Sequence, residues 1–375
     1  MLPNTRQPQP PAATLMYAPV GALKGRGTVW ALEHRFSTDQ RSEFDDGWGT
    51  LEQAAAEETA APLTQVSEEN VRRILSGNDS PDIGFDLSIN PYRGCEHGCA
   101  YCFARPYHEY LGFSAGLDFE SKIVVKEKAP ELLRAELSRK SWVPQPLTMS
   151  AITDCYQPVE RRLQLTRGCL EVLAEFRNPV AIITKNHLVT RDIDHLATLA
   201  KVNAAQVAIS ITTLDAELAK TLEPRASTPA RRLAAVEELS AAGVPVFVMM
   251  APIIPGLTDH EIPELLGAAA KAGARSAAYT VLRLPWAVAP LFIEWLDRHA
   301  PGHKDKVLSR IQSMRGGKLY DAKWGARMKG EGFFAEQIGA LFALAKRKAG
   351  FRGELGDLSS SAFRVPTNQL SLFGD

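Results

Sequence analysis

The sequence predicts a parallel α/β fold of the barrel or partial-barrel kind, and three observations carry that prediction. Seven apolar runs of strand length recur with helical stretches between them, the pattern of serial βα units. Polar residues gather just after the ends of these runs: Thr153-Asp154, Thr184-Lys185-Asn186, and the segments 210–213 and 252–256. Barrel enzymes assemble their sites at that carboxyl edge from several strands at once. The 375 residues are 45% hydrophobic and 23% charged, so there is ample material for one large core.

Along the chain, residues 1–75 differ from the rest. Five prolines fall in 1–20, and 33–70 carries ten acidic residues against two basic ones. This reads as a largely disordered, acidic, solubilising extension with a short helix near 67–75. The barrel is expected over 76–285, with strands at 85–90, 122–126, 147–153, 180–184, 206–211, 244–250 and 276–282. As parallel strands they are expected to be buried on both faces. A helix is predicted over 192–200. Another opens at Thr228-Pro229, with proline at the first helical position, and Gly243 closes it. Thr258 with Glu261 reads as a capping box, and Gly273 as the glycine that ends that helix. After 285 the strands stop. Helices at 286–299, 304–314 and 332–349 make a helical extension over 286–352, followed by a loop-like tail over 353–375. Residues 298–350 hold twelve lysines and arginines against four acids, which makes this extension basic.

Charge and composition exclude several classes. Lysine plus arginine equal aspartate plus glutamate at 43 each, so bulk electrostatics gives no case for non-specific nucleic-acid binding. The longest apolar run, 244–255, is short of the ~20 residues that span a bilayer. The start of the chain has no apolar segment of the secretory kind. A cytoplasmic protein without membrane contact is expected. Five cysteines in this length do not make a disulfide framework.

Three of those cysteines cluster in Cys95-Glu-His-Gly-Cys99-Ala-Tyr-Cys102, a C-x3-C-x2-C spacing just after the first barrel strand. Soft thiolates at that spacing favour zinc or an iron–sulfur cluster. Structural zinc needs a fourth ligand, for which His108 is the candidate, His97 being awkwardly placed between two cysteines. Three thiolates alone suit a [4Fe–4S] cluster whose fourth iron stays open.

The motif, with its aromatic residue before the third cysteine, resembles the signature of the radical S-adenosylmethionine (SAM) superfamily. The likeness extends over roughly 85–285. Ser88-Ile-Asn-Pro-Tyr-Arg-Gly-Cys95, Cys102-Phe-Ala-Arg105, Thr153-Asp-Cys-Tyr-Gln-Pro-Val-Glu160, Ile183-Thr-Lys-Asn186 and Glu223-Pro-Arg225 resemble the uncharacterised branch related to spore photoproduct lyase. The resemblance implies a partial (β/α)6 barrel of the TIM type. It also implies a [4Fe–4S] cluster on Cys95, Cys99 and Cys102, and S-adenosyl-L-methionine on the open iron.

Further site residues follow from the same likeness. Tyr101 is expected against the adenine, with plain packing under the loop as the other reading. Thr153 and Asp154 stand where the family contacts the methionyl ammonium, which a carboxylate can accept. Lys185 is expected to face the SAM carboxylate or a substrate oxygen, and Ser210 stands where relatives place a polar residue near SAM. Glu223 and Arg225 are either site residues or a salt-bridged turn. Ile253 and Gly256 are expected to form the adenine shelf, glycine permitting close backbone approach. Spore photoproduct lyases return hydrogen from a cysteine three residues before the aspartate, where this chain has Ala151. Cys155 is the candidate substitute, and a small core residue is its other reading. Cys169 reads as core.

The expected activity is reductive cleavage of SAM to a 5′-deoxyadenosyl radical that takes hydrogen from a substrate, with a flavodoxin- or ferredoxin-type protein as electron donor. A DNA photoproduct lyase is one alternative. A non-catalytic zinc or iron–sulfur scaffold or electron carrier is another. The segment 320–332 interleaves basic and aromatic residues, a composition suited to nucleic acid or to covering the barrel edge.

Overall fold

The computed structural model describes residues 15–17, 26–28, 30–32, 35–36, 63–351 and 356–366. A seven-stranded sheet dominates. Its strands are β4 (Leu75–Gly77), β5 (Leu87–Ile89), β8 (Leu147–Met149), β9 (Val180–Thr184), β10 (Ala205–Ser210), β11 (Val246–Ile253) and β12 (Ser276–Val281). The spatial order β12-β11-β10-β9-β8-β5-β4 follows the chain order without a switch, and all pairs from β5 to β12 are parallel. A doubly wound sheet reverses strand order at its centre. This sheet does not, and β12 and β4 remain unpaired with each other, so it is an open (β/α)6 barrel.

Helices between successive strands cover the outer face. Leu133, Leu170, Leu173, Leu196, Val236, Leu239 and Leu265 have no exposed surface and pack against Leu147, Ile182, Val207 and Val248 of the strands. Each such side chain contributes about 1.5–3 kcal/mol by leaving water. The inner face behaves differently from the expectation of strands buried on both sides. In β9 and β11 buried residues alternate with half-exposed ones: Ala181, Ile183, Phe247, Met249 and Ala251 keep solvent contact. Side chains alternate across a strand, so these residues line an interior that is not filled.

Three further expectations are corrected. The run at 122–126 is strand β7 (Lys122–Val125), but it leaves the barrel series. It joins a small sheet in the order β3-β7-β6, with β3 (Gln65–Glu68) parallel and β6 (Tyr92–Arg93) antiparallel to it. The helix expected near 67–75 is replaced by β3 and β4, because pairing with β7 and β5 supplies the backbone partners a helix would otherwise make. The capping box does not form. The Thr258 hydroxyl accepts from Ile254 N at 3.0 Å, and the Glu261 carboxylate accepts from Thr213 Oγ1 and Leu214 N, each at 2.6 Å. Its helix therefore starts at Ile262, after a tight turn.

Other expectations hold. The helix Pro229–Ala241 is capped by the Thr228 side chain, Gly243 and Gly273 take positive φ, and a helix spans Ile193–Ala200. Helices Val288–His299, Lys304–Ser313 and Phe333–Lys348 follow β12. The segment 320–332 crosses the open side of the barrel. Arg327 there donates through Nε to Asp82 Oδ2 at 2.7 Å, tying the β12 edge to the β4–β5 hairpin. Most of 1–62 lies outside the described residues. Its described parts include the pair β1 (Leu15–Tyr17) and β2 (Ala31–Leu32). Gly27 and Thr28 are buried, and Gly27 N donates to Glu120 Oε2 at 2.9 Å, so this portion packs on the protein as more than a tail. No helix among the described residues is long and apolar enough to cross a membrane.

Candidate active site at the cysteine loop

The cysteines lie on the loop that leaves β6, at the carboxyl edge of the barrel. Gly94 and Gly98 adopt positive φ, which lets the loop turn sharply around Cys95. Cys95 N donates to Phe119 O at 2.9 Å and Ala100 N to Leu222 O at 3.0 Å, so the loop is fixed from both sides. Arg105 is the main strut. Fully buried, its guanidinium donates to Cys99 O at 2.9 and 3.0 Å, to Gly116 O at 2.9 Å, and to Glu120 at 2.5 Å.

Cys95 and Cys99 are buried and Cys102 is partly so. Burial pushes all three thiols up. Metal coordination reverses this, since a bound thiol is deprotonated outright. Neither histidine completes a zinc set with them. His97 is committed elsewhere: its Nδ1 lies 3.3 Å from Asp154 Oδ2 and its Nε2 lies 3.1 Å from Asn186 Nδ2. His108 packs against Phe113 and Phe119. Three sulfurs on a fixed loop, with His97 held by Asp154 and Asn186 and His108 packed between two rings, fit an iron–sulfur cluster with an open iron better than a closed four-ligand zinc site.

Beneath the loop, the strand ends meet in a buried polar network. Glu223 is its hub. It accepts from Tyr101 Oη, from the Arg232 guanidinium, and from Thr212 Oγ1 at 2.8 Å, and Lys185 Nζ lies 3.4 Å away. Burial pushes the Glu223 carboxyl up, but Arg232 and Lys185 outweigh it and hold it well below the usual range. The Tyr101 hydroxyl is pushed far up by burial and by the neighbouring carboxylate. Lys185 Nζ also donates to Ala251 O at 3.0 Å, bridging the ends of β9 and β11. Arg232 Nη1 donates to Ser210 O at 3.0 Å, which fixes the end of β10.

Asp154 forms a second hub. Thr184 Oγ1 at 2.8 Å, Lys185 N at 2.7 Å and Tyr156 N at 2.9 Å all donate to it, and His97 completes its surroundings. Burial raises the Asp154 carboxyl, and these partners bring it below its ordinary value. A carboxylate has about four acceptor sites, and these four neighbours occupy them.

The structure thus brings Tyr101, Lys185, Ser210 and Glu223 together, with Asp154 joined through Lys185. The remaining candidates lie apart from this group. Thr153 Oγ1 is 3.4 Å from Tyr92 O, and Arg225 pairs with Glu96 at 2.9 Å. Ile253 belongs to the core between sheet and helices, because β11 shifts register between Met250 and Ile253. The shelf expected of its side chain is therefore absent. Gly256 faces the stems of Lys306 and Arg310. Cys155 has no exposed surface. Its N donates to Ser150 Oγ at 2.6 Å and its carbonyl accepts from Thr166, so the core reading replaces that of a hydrogen donor open to substrate. Cys169 is core as expected.

Arg232 and Thr212 escaped the sequence reading. Arg232 did leave a signal: it occupies the apolar stripe of its helix with Ala235, Val236 and Leu239. A charge in such a stripe has a buried partner as its natural explanation.

A family model for the radical SAM superfamily matches residues 89–269. The chain belongs to the radical SAM superfamily. It is 40% identical over 232 residues to an uncharacterised protein of Mycobacterium tuberculosis, covering 61% of this chain and 67% of that one. An uncharacterised protein of Methanocaldococcus jannaschii is 31% identical over 178 residues, 48% of this chain and 64% of that one. Among solved structures, spore photoproduct lyase complexed with dinucleoside spore photoproduct aligns with a TM-score of 0.54 at 15% identity, covering 76% of this chain and 79% of the other. A variant of that lyase with bound AdoMet and dinucleoside spore photoproduct aligns with a TM-score of 0.55 at 14% identity, over 84% and 85%. At such identity the likeness is one of fold.

Proposed function

We propose that this protein is a radical SAM enzyme acting on a substrate in or beside the open barrel. The observation that carries the reading is the placement of three cysteines on a rigid loop directly above a buried polar network. A bound, reduced [4Fe–4S] cluster together with SAM would supply radical chemistry, a 5′-deoxyadenosyl radical for hydrogen abstraction. Cys95, Cys99 and Cys102 would hold the cluster, and Arg105 positions Cys99 through its carbonyl. Lys185 offers its ammonium to the SAM carboxylate, with Glu223 setting its position. Asp154 has its acceptor sites filled, so it acts by positioning Lys185 and His97 under the loop. The half-exposed inner faces of β9 and β11 leave room for substrate. Cys155 and Cys169 are core residues, so no cysteine remains for a second cluster. An external flavodoxin- or ferredoxin-type donor supplies the electron.

The test is anaerobic reconstitution with iron and sulfide, then SAM and dithionite, with 5′-deoxyadenosine quantified. The wild type is expected to form it, and Cys95→Ala, Cys99→Ala or Cys102→Ala to reduce it to background. Undiminished cleavage in any one variant refutes the ligand assignment, and normal metal loading without SAM binding returns the scaffold reading.

A photoproduct-lyase-like reaction on DNA is the second reading. Exposed Phe103, Tyr107, Trp286 and Trp324 favour it, with Arg283 over Phe103 at 4.9 Å and Arg327 over Trp324 at 4.6 Å. Such rings can stack on bases. That reading requires DNA binding that weakens with salt.

A further inference from the structure

On the other side of the cysteine loop lies a cavity of about 240 Å³, between β5, β6 and the turn Arg105–Leu111. It shares a wall with the proposed cluster: Ala104, Phe119 and Ile152 line it, and the same residues pack against Cys95 and Cys102. Its polar lining is unusual. Lys126 is 7% exposed, and among the described residues its ammonium makes a single hydrogen bond, to Asn90 O at 3.0 Å. An ammonium has three donors, and a buried one normally has a carboxylate partner.

The nearby carboxylate is shared. Glu69 lies 3.0 Å from Arg93 Nε and also acts on the Lys126 ammonium, one negative charge for two cations that line the cavity. Burial, with Arg93 close by, pushes the Lys126 ammonium below its ordinary value. His108 stands in the wall, 1% exposed, and burial pushes its imidazole down to about 4 against the backbone hydrogen bonds it makes with Lys122 and Asp118. Tyr107 and Tyr110, both exposed, form the lip. Two cations without enough counter-charge and an aromatic lip around one empty space describe a receptor for an anion carried on a small, partly flat molecule.

We infer that this cavity binds a phosphate or carboxylate group through Lys126 and Arg93. That the anion belongs to the substrate rests on the radical SAM reading, since the cavity adjoins the loop proposed to hold the cluster. The anion site itself does not.

The experiment uses the full chain, with inorganic phosphate and, separately, acetate as probes. Ionic strength is held constant with chloride, and binding is read by calorimetry and thermal unfolding. Phosphate, acetate or both are expected to bind and to raise the unfolding midpoint, and the arm that responds identifies the source of the anion. Lys126→Met is expected to weaken that binding at least tenfold and, without probe, to unfold at a higher temperature than wild type, because an unpaired buried charge is gone. Arg93→Met, at a half-exposed position, serves if Lys126→Met does not fold, and is expected to weaken binding several-fold. Absence of binding by both probes, or equal binding to wild type and variants, overturns the inference. A lower midpoint for Lys126→Met with unchanged binding overturns it too, reducing Lys126 to a strut for Asn90. 5′-Deoxyadenosine formation by the wild type is measured in parallel. Anion binding without SAM cleavage defeats the radical reading alone, and cleavage without anion binding defeats this inference alone.

Discussion

The two sides of the cysteine loop treat buried charge in opposite ways. Beneath the loop, Glu223, Arg232, Lys185, Asp154 and His97 share partners so closely that each carboxylate is filled. Behind it, among the described residues, Lys126 and Arg93 line a space with donors left over. Desolvating a charge costs several kcal/mol, which only a partner offsets. Filled carboxylates are therefore architecture, holding strand ends in register and presenting the Lys185 ammonium. A cluster with donors left over is a site whose missing partner comes from outside.

Substitutions on the saturated side test this contrast most strongly. Glu223→Leu leaves Arg232 buried and unpaired, and a loss of about 3–5 kcal/mol is expected in chemical denaturation. Adding Arg232→Met should recover part of it. A loss below about 1 kcal/mol would mean that the network is not closed. The sign is opposite to that expected for Lys126→Met, so the two variants together separate filled from open charge.

Asp154→Asn gives a smaller, pH-dependent effect. The folded carboxyl lies below its ordinary value, so its stabilisation is present above the unfolded value of about 4 and is lost as pH falls through the folded value. The gap between wild type and variant should therefore be widest near neutral pH and close in acid. A constant gap in unfolding midpoints from neutral pH to pH 3 would contradict the assignment. Asp82→Asn should do least. Its pair with Arg327 is partly buried but stands outside the saturated network, so a loss of about 1 kcal/mol is expected.

The parts legible in the sequence were those written locally. Three cysteines within eight residues, a Thr-Pro helix start and apolar runs of strand length each carry their meaning in a short window. What escaped depends on distant partners. The run at Lys122–Val125 has the composition of a barrel strand, and only β3, more than fifty residues earlier, draws it into another sheet. Glu261 has the spacing of a cap residue, yet the loop after β10 claims its carboxylate. At the site, the cysteine motif and Lys185 could be read from the chain. Lys126 could not, because a lysine ending a strand looks the same whether water or a cavity lies beyond it.

Gly27 and Gly98 meet backbone to backbone. A Cβ at Gly27 would lie 1.5 Å from Gly98 O, inside the loop that carries the cysteines. The sequence ahead of residue 63 thus includes part of the loop's roof, joined to it where neither chain can carry a side chain. Shortening the protein to its barrel would preserve the six parallel strands and yet unroof the loop on which the chemistry is proposed to depend.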